Sequence, residues 1–205
     1  MTSSGQRLNA LLAQAGLAPL TSEQTAGFIS YLSLILRWNA RTNLTSVRDE
    51  EGILSRHFVE GIACARILPA GIKTLLDFGS GAGLPGIPIA LCRPEIAVTL
   101  AESQGKKAAF LQEAVRTLSL QATVYPHRAE TLRAAFDLVV LRAVDKMPQA
   151  VGTAVNHVAT GGWLALMATH SDLAQLHAAA GQGFSWAASI PLPGSRERVL
   201  SLGHR

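Results

Sequence analysis

Cysteine is scarce in this chain of 205 residues, which carries only Cys64 and Cys92. Two thiols without metal-ligand spacing exclude a disulfide framework and a zinc site, and they suit a reduced compartment. No metal is expected. Long apolar runs are missing too, and none approaches the roughly 20 residues that a membrane span requires. The opening stretch MTSSGQRLNALLAQAG has an apolar face but no basic start, no long apolar core and no small-residue cleavage site. No signal peptide is read from it, so the expectation is a cytoplasmic monomer away from membranes. Internal repeats and low-complexity tracts are absent as well. Charged residues make up only 16% of the chain against 48% apolar, the composition of a globular protein with a proper core.

The charge that is present leans basic. Eighteen Lys and Arg against fourteen Asp and Glu give a formal +4, and fourteen of the eighteen are arginine. Arginine suits bidentate phosphate contacts, so a polyanionic partner is permitted and slightly favoured.

Residues 4–66 read as helical. Leu8, Leu11, Leu12 and Ala15 form one apolar stripe. Thr21 and Gln24 form a capping-box pattern ahead of Phe28, Ile29, Leu32, Ile35 and Leu36. A third helix is expected over about 50–67, with Ile53, Leu54, Phe58, Ile62 and Ala65 at helical spacing. From Lys73 the rhythm changes to strands at 73–78, 97–102, 122–125, 136–141, 161–168, 184–190 and 197–202. Helices are expected over about 85–92, 104–119, 129–134, 147–158 and 170–180. Alternation of this kind predicts an α/β fold, a doubly wound, mostly parallel seven-stranded sheet with an antiparallel C-terminal edge. A helical cap over residues 1–70 would precede a domain over 71–205, the two forming one compact unit.

The stretch KTLLDFGSGAGLPGIPIAL carries the chemistry and reads in two registers. Gly81-Ala82-Gly83-Leu84-Pro85-Gly86 matches the G-x-G-x-x-G dinucleotide fingerprint, with Glu102 about 20 residues on. Shifted back, Asp77-Phe78-Gly79-Ser80-Gly81-Ala82-Gly83 places an acid two positions before G-x-G-x-G, the first motif of S-adenosylmethionine-dependent methyltransferases. A carboxylate beside a pyrophosphate is repulsive, whereas S-adenosylmethionine carries an ammonium and a sulfonium and no phosphate. The second register is therefore preferred. Asp77 is expected to order the loop or to reach the amino-acid moiety through water. Gly79, Gly81 and Gly83 let the backbone approach the cofactor, and Glu102 accepts hydrogen bonds from the ribose hydroxyls.

Two marks of acceptor chemistry are missing. Carbon-5 pyrimidine methylation needs a cysteine nucleophile, yet Cys64 and Cys92 both lie in apolar helical stretches. Exocyclic amine methylation uses an Asn/Asp-Pro-Pro-aromatic loop after the fourth strand, where this chain reads FDLVVLRAVDKMP. An acceptor already nucleophilic fits what remains, and guanine N7 is such an atom. A methyltransferase of transfer RNA or of a small molecule, and a nucleotide-binding module without chemistry, stay open at this point.

The segments YLSLILRWNARTNLTSVRDEEGILSRHFVEG, LLDFGSGAGLPGIPIALCRPEIAVTLAESQGKKAAFLQEAVRTLSL, HRAE, FDLVVLRAV and LPGSRERVLSL narrow the choice. In order and spacing they resemble the small-subunit (16S) ribosomal RNA guanine-N7 methyltransferase family, also called glucose-inhibited division protein B. The likeness runs from about residue 28 to 202. It implies a Rossmann-like methyltransferase with S-adenosylmethionine as cofactor and 16S ribosomal RNA, or a small-subunit particle, as partner. It places Gly79 and Leu84 at the cofactor loop, and Ala129 and Glu130 at the turn framing the adenine. Arg142 falls at the cofactor and acceptor site, and Asn43 and Arg198 fall on the acceptor side with a catalytic part. The family's lysine in the fifth strand falls on Met167 here.

For the RNA, Arg37, Arg41, Arg48 and Arg56 cluster in and around the polar segment between cap and sheet. They are expected to meet phosphates, and Lys106, at a helix start, is assigned with them. The alternative reading makes the cap arginines a solvated face paired with Asp49, Glu50 and Glu51. His57 is equally readable as structural or functional. Trp38 reads as packing. Arg142→Ala is expected to abolish transfer with the fold intact.

Overall fold

The computed structural model describes residues 3–205. Helix α1 (Ser4–Gln14) opens on a capping box between Ser3 and Gln6, and α2 (Ser22–Asn39) on the expected one between Thr21 and Gln24. In each, a hydroxyl accepts the third backbone N–H while the Gln side chain returns to the cap N–H. The helix expected over 50–67 is present, but its second stretch is a π-helix. A short α3 (Glu50–Gly52), capped by Asp49, runs into the π segment Ile53–Phe58 and then into α4 (Val59–Ile67). The Val59 N–H reaches back five residues to the Leu54 carbonyl. His57 to Ala65 are all buried, because this stretch packs against α1, α2 and the helix Gly86–Cys92.

From β1 (Thr74–Phe78) onward the alternation holds: α5 (Gly86–Cys92), β2 (Ala97–Ala101), α6 (Gly105–Thr117), β3 (Ala122–Tyr125), β4 (Phe136–Arg142), α7 (Met147–Ala154), β5 (Val158–Thr169) and α8 (Leu173–Ala180). The helix expected at 129–134 is a single 3-10 turn, Ala129–Thr131. The strand expected at 184–190 is broken into β6 (Ser185–Trp186) and β7 (Ile190–Pro191), both on the last strand β8 (Arg198–His204). Pro191 has no N–H to continue a ladder, and a proline in a strand belongs at such an edge.

The sheet runs β3-β2-β1-β4-β5-β8-β6, with β7 also on β8. Its first five strands are parallel and β8 is antiparallel to β5. Successive residues of the central strands enter opposite cores. Leu75, Leu138, Val140 and Ala165 join one core with Phe28, Ile62, Ile87 and Phe110, while Leu76, Val139, Leu141 and Leu164 join the other with Val151 and Leu176. Burial on both faces explains why these strands read as continuous apolar runs. It also shows that α1, α2 and α4 share one core with the sheet.

Strand order reverses between β1 and β4. Chains leaving these two strands diverge, which opens a crevice at their carboxyl ends.

Candidate functional site

The glycine loop is pinned from three sides. Backbone N–H groups of Gly79 and Ser80 donate to the Ala101 carbonyl at 3.1 and 2.9 Å, fastening the loop to the end of β2. Gly81 N–H donates to Glu102 Oε2 at 3.0 Å. Tyr31, buried in α2, donates its hydroxyl to the Ala82 carbonyl at 2.5 Å while its ring stacks on Phe58. Asp77 is 1% exposed, and its Oδ2 accepts the Gly86 N–H at the start of α5 at 2.9 Å. A Cβ at Gly86 would lie 2.5 Å from that oxygen, so only glycine admits the carboxylate. Burial pushes the Asp77 carboxyl up to about 7. Of the two roles expected for Asp77, the geometry supports ordering the loop.

A cleft of about 1020 Å³ opens at the carboxyl ends of the strands. Gly79, Gly81, Leu84, Glu102, Ala129, Glu130, Arg142, Arg198 and Arg56 all line it. Glu102 Oε1 accepts the Gln104 N–H at 2.7 Å, so each of its carboxylate oxygens carries one backbone donor.

Other expected residues lie elsewhere. Gly83 does not line the cleft. A Cβ there would meet Ile87 at 2.5 Å and Leu111 at 3.1 Å, so its bareness serves helix packing. Asn43 is exposed and does not line the cleft, and its Oδ1 accepts from Arg48 at 2.7 Å. Leu44, Thr45 and Ser46, one to three residues on, are the ones that do. Arg37 is paired with Glu113 of α6, outside the cleft. Trp38 joins it by donating its indole N–H to the same carboxylate at 2.8 Å, with its ring edge-on to Phe110. Arg41, Arg48 and Lys106 are exposed and do not line the cleft, whereas Lys107, Arg128 and Lys146 do. Glu51 is taken by Arg7, and Asp49 caps the Gly52 N–H. Among the described residues, the acids of that run pair with no cap arginine expected to hold RNA.

The centre of the site is a residue the motifs did not single out. Glu60 is 0% exposed. Its Oε2 accepts from Arg142 Nη2 at 2.9 Å, and its Oε1 accepts from Arg198 Nε at 2.6 Å and Nη2 at 2.5 Å. Glu60 follows the π segment in a stretch buried on every side, and the end of β4 and the start of β8 each bring one arginine to meet it. Its one sequence signal was an acid inside an otherwise apolar run.

Arg142 Nη2 also faces His57 Nδ1 at 3.1 Å, and His57 Nε2 lies 2.8 Å from Thr45 Oγ1. Burial first, then the charges of Arg142, Arg56 and Arg198, push His57 down to about 3. It is a neutral imidazole at physiological pH. Arginine only donates, so Nδ1 accepts and the ring proton sits on Nε2. The other terminal nitrogen of Arg142, Nη1, is buried and has no acceptor among the described residues. A buried charged donor without an acceptor is costly unless a ligand completes it.

A family model described as rRNA small subunit methyltransferase G matches residues 24–185. The chain is similar to the ribosomal RNA small subunit methyltransferase G of Xanthomonas euvesicatoria pv. vesicatoria, 40% identical over 182 residues that cover 85% of each chain. With the protein of the same name from Xanthomonas campestris pv. campestris (strain 8004) it shares 38% over 199 residues, 94% of this chain and 91% of that one. Among solved structures, TYW2 of M. jannaschii in complex with AdoMet superposes with a TM-score of 0.56 at 13% identity, over 73% of this chain and 75% of that one. The last likeness is one of fold.

Proposed function

The chain belongs to the rRNA small subunit methyltransferase G family, S-adenosylmethionine-dependent methyltransferases of ribosomal RNA, and from that premise we propose that it methylates N7 of a guanine in 16S ribosomal RNA. The observation that carries this reading is the polar capacity left open in the cleft. Glu102 keeps lone pairs beyond its two backbone donors, enough for the two hydroxyls of a ribose. Gly79 and Gly81 line the same wall without side chains. Arg142 Nη1 is a donor awaiting an acceptor. These groups fit S-adenosylmethionine, which when bound supplies an electrophilic methyl on a sulfonium.

Guanine N7 has a lone pair and no proton, so the residues need only align the acceptor and tolerate a ring that becomes cationic. Nothing in the cleft is set up as a cysteine nucleophile. Burial pushes Cys64 up to about 12 and Cys92 up to about 11, and neither lines the cleft. The neutral His57 adds no further positive charge beside the acceptor. Glu60 fixes Arg142 and Arg198 side by side in the cleft wall, and Arg56, Lys107, Arg128 and Lys146, which line the same cleft, would meet phosphates around a presented base. The enzyme is taken to act as a monomer in the cytoplasm, on the RNA or on a small-subunit particle.

The test is transfer of labelled methyl to small-subunit particles, with the RNA digested to nucleosides. Label in 7-methylguanosine is expected, and label in any other nucleoside overturns the acceptor assignment. Calorimetry should show saturable binding of S-adenosylhomocysteine and none of NAD. Glu102→Ala should weaken that binding by about 1.5–3 kcal/mol for each charge-assisted hydrogen bond lost. Transfer RNA accepting label in preference to the particles would favour the other acceptor.

A further inference from the structure

We propose that Thr45 is the group that selects guanine, donating its hydroxyl hydrogen to O6 of the acceptor base in a direction fixed by the chain Glu60–Arg142–His57. The inference rests on the guanine-N7 reading above and deepens it. Thr45 lines the cleft. Its Oγ1 accepts the Val47 N–H at 3.2 Å and, because His57 carries its proton on Nε2, accepts that hydrogen too at 2.8 Å. A hydroxyl has two lone pairs and one hydrogen. Both lone pairs are engaged. The hydrogen has no acceptor among the described residues, and it is all that Thr45 has left to offer a ligand.

That polarity cannot invert while the chain stands. Turning Thr45 into an acceptor would need His57 Nε2 to lose its hydrogen and Nδ1 to gain one, which would aim an N–H at the Arg142 guanidinium. Arg142 is held there by Glu60 Oε2 at 2.9 Å, and Arg56 and Arg198 add their charge nearby. The donor therefore stays a donor. Next to N7, guanine presents the O6 acceptor and adenine the N6 amino donor. A donor-only hydroxyl pairs with the first and repels the second. It leaves the N7 lone pair free because it addresses the neighbouring atom. Thr45 is a specificity and positioning residue, acting on how the base sits.

The experiment is a cycle that changes both sides of the contact. One side is Thr45→Val, nearly isosteric and without the hydroxyl. The other is small-subunit RNA in which the guanine methylated by the unaltered enzyme is replaced by 2-aminopurine, which keeps N7 and lacks O6. The expected loss in kcat/KM is roughly ten- to a hundredfold for either change alone, and no larger for both together. Thr45→Ser should recover most of the activity, and the S-adenosylhomocysteine affinity of Thr45→Val should stay as it was. The unfolding midpoint of Thr45→Val should fall, because the His57 Nε2–H and the Val47 N–H lose their acceptor. Independent, multiplying losses, or a 2-aminopurine substrate as good as guanine for the unaltered enzyme, would overturn the assignment. Weakened S-adenosylhomocysteine binding by Thr45→Val would overturn it by moving the hydroxyl to the cofactor. Failure of the guanine-N7 reading itself shows separately, as absence of 7-methylguanosine from the unaltered enzyme's product.

Discussion

Glu60 has no exposed surface and two arginine partners, so removing its charge strands two guanidinium groups at once. Breaking a buried pair by removing one partner typically costs about 3–5 kcal/mol, because the remaining charge stays desolvated. Glu60→Gln should lower stability by that order in urea unfolding and lose methyl transfer with it. The same geometry revises the sequence expectation for Arg142→Ala. Without Arg142 half of a fully buried carboxylate is unpaired, so the variant should lose stability as well as transfer. His57 and Asp77 add opposite pH slopes. His57 sits at about 3 in the fold against an ordinary 6.5, so its contribution is complete above 6.5 and is lost as pH falls toward 3. Asp77 sits at about 7 against 3.8, so its contribution is complete below 3.8 and is lost as pH rises through 7. Relative to the unaltered protein, His57→Gln should therefore gain in stability on going from pH 7.5 to 5, and Asp77→Asn should gain on going from pH 5 to 8. Urea unfolding at the three pH values reads both.

Elements that obey one periodic rule were legible, and those that break period were not. The capping box at Thr21 and Gln24 gave the start of α2, and the alternation from Lys73 gave the order of strands and helices. The π segment Ile53–Phe58 was invisible because Ile53, Leu54, Phe58 and Ile62 fit an α-helical stripe well enough. A one-residue slip only shows once His57 and Glu60 are seen inside. Glu60 was passed over as one acid in an apolar run, and Asn43, placed by the family motif, lies in an irregular turn where Leu44, Thr45 and Ser46 line the cleft. Motif position reports the neighbourhood of a site, and the side chain that enters it is decided by local backbone turns. Contact between elements gives a further expectation. Tyr31 of α2 has no place in the cleft lining, yet its hydroxyl holds the glycine loop through the Ala82 carbonyl. Tyr31→Phe leaves that buried carbonyl without its partner, at a cost of about 1–3 kcal/mol. The loop should loosen, and S-adenosylhomocysteine should bind more weakly to a variant altered outside its binding site. Unchanged affinity in calorimetry would mean that Gly79, Ser80 and Gly81 fix the loop without help from α2.

Across the whole molecule, the excess of arginine is sorted by where each one is held. Arg37 lies on the outer side of α2 and is tied to Glu113, with its side chain 61% exposed. An exposed pair of this kind is worth little to stability and leaves little free charge for a phosphate. Arg56, Lys107, Arg128 and Lys146 line the cleft mouth, and among the described residues none of them has a carboxylate partner. An RNA strand delivering a base to the cleft must pass this rim with its phosphates, releasing counterions from each one neutralised. Alanine at Arg56, Lys107 or Lys146 should each reduce the slope of log affinity against log salt by about 0.7 to 1. Arg37→Ala, expected from the sequence to weaken RNA binding like the others, should leave both affinity and slope unchanged. Titrations of small-subunit RNA at several salt concentrations separate these outcomes. An equal loss of slope for Arg37 and Lys107 would place the RNA across the α2 face, which would turn that face from packing surface into part of the track that leads the acceptor guanine to Arg142.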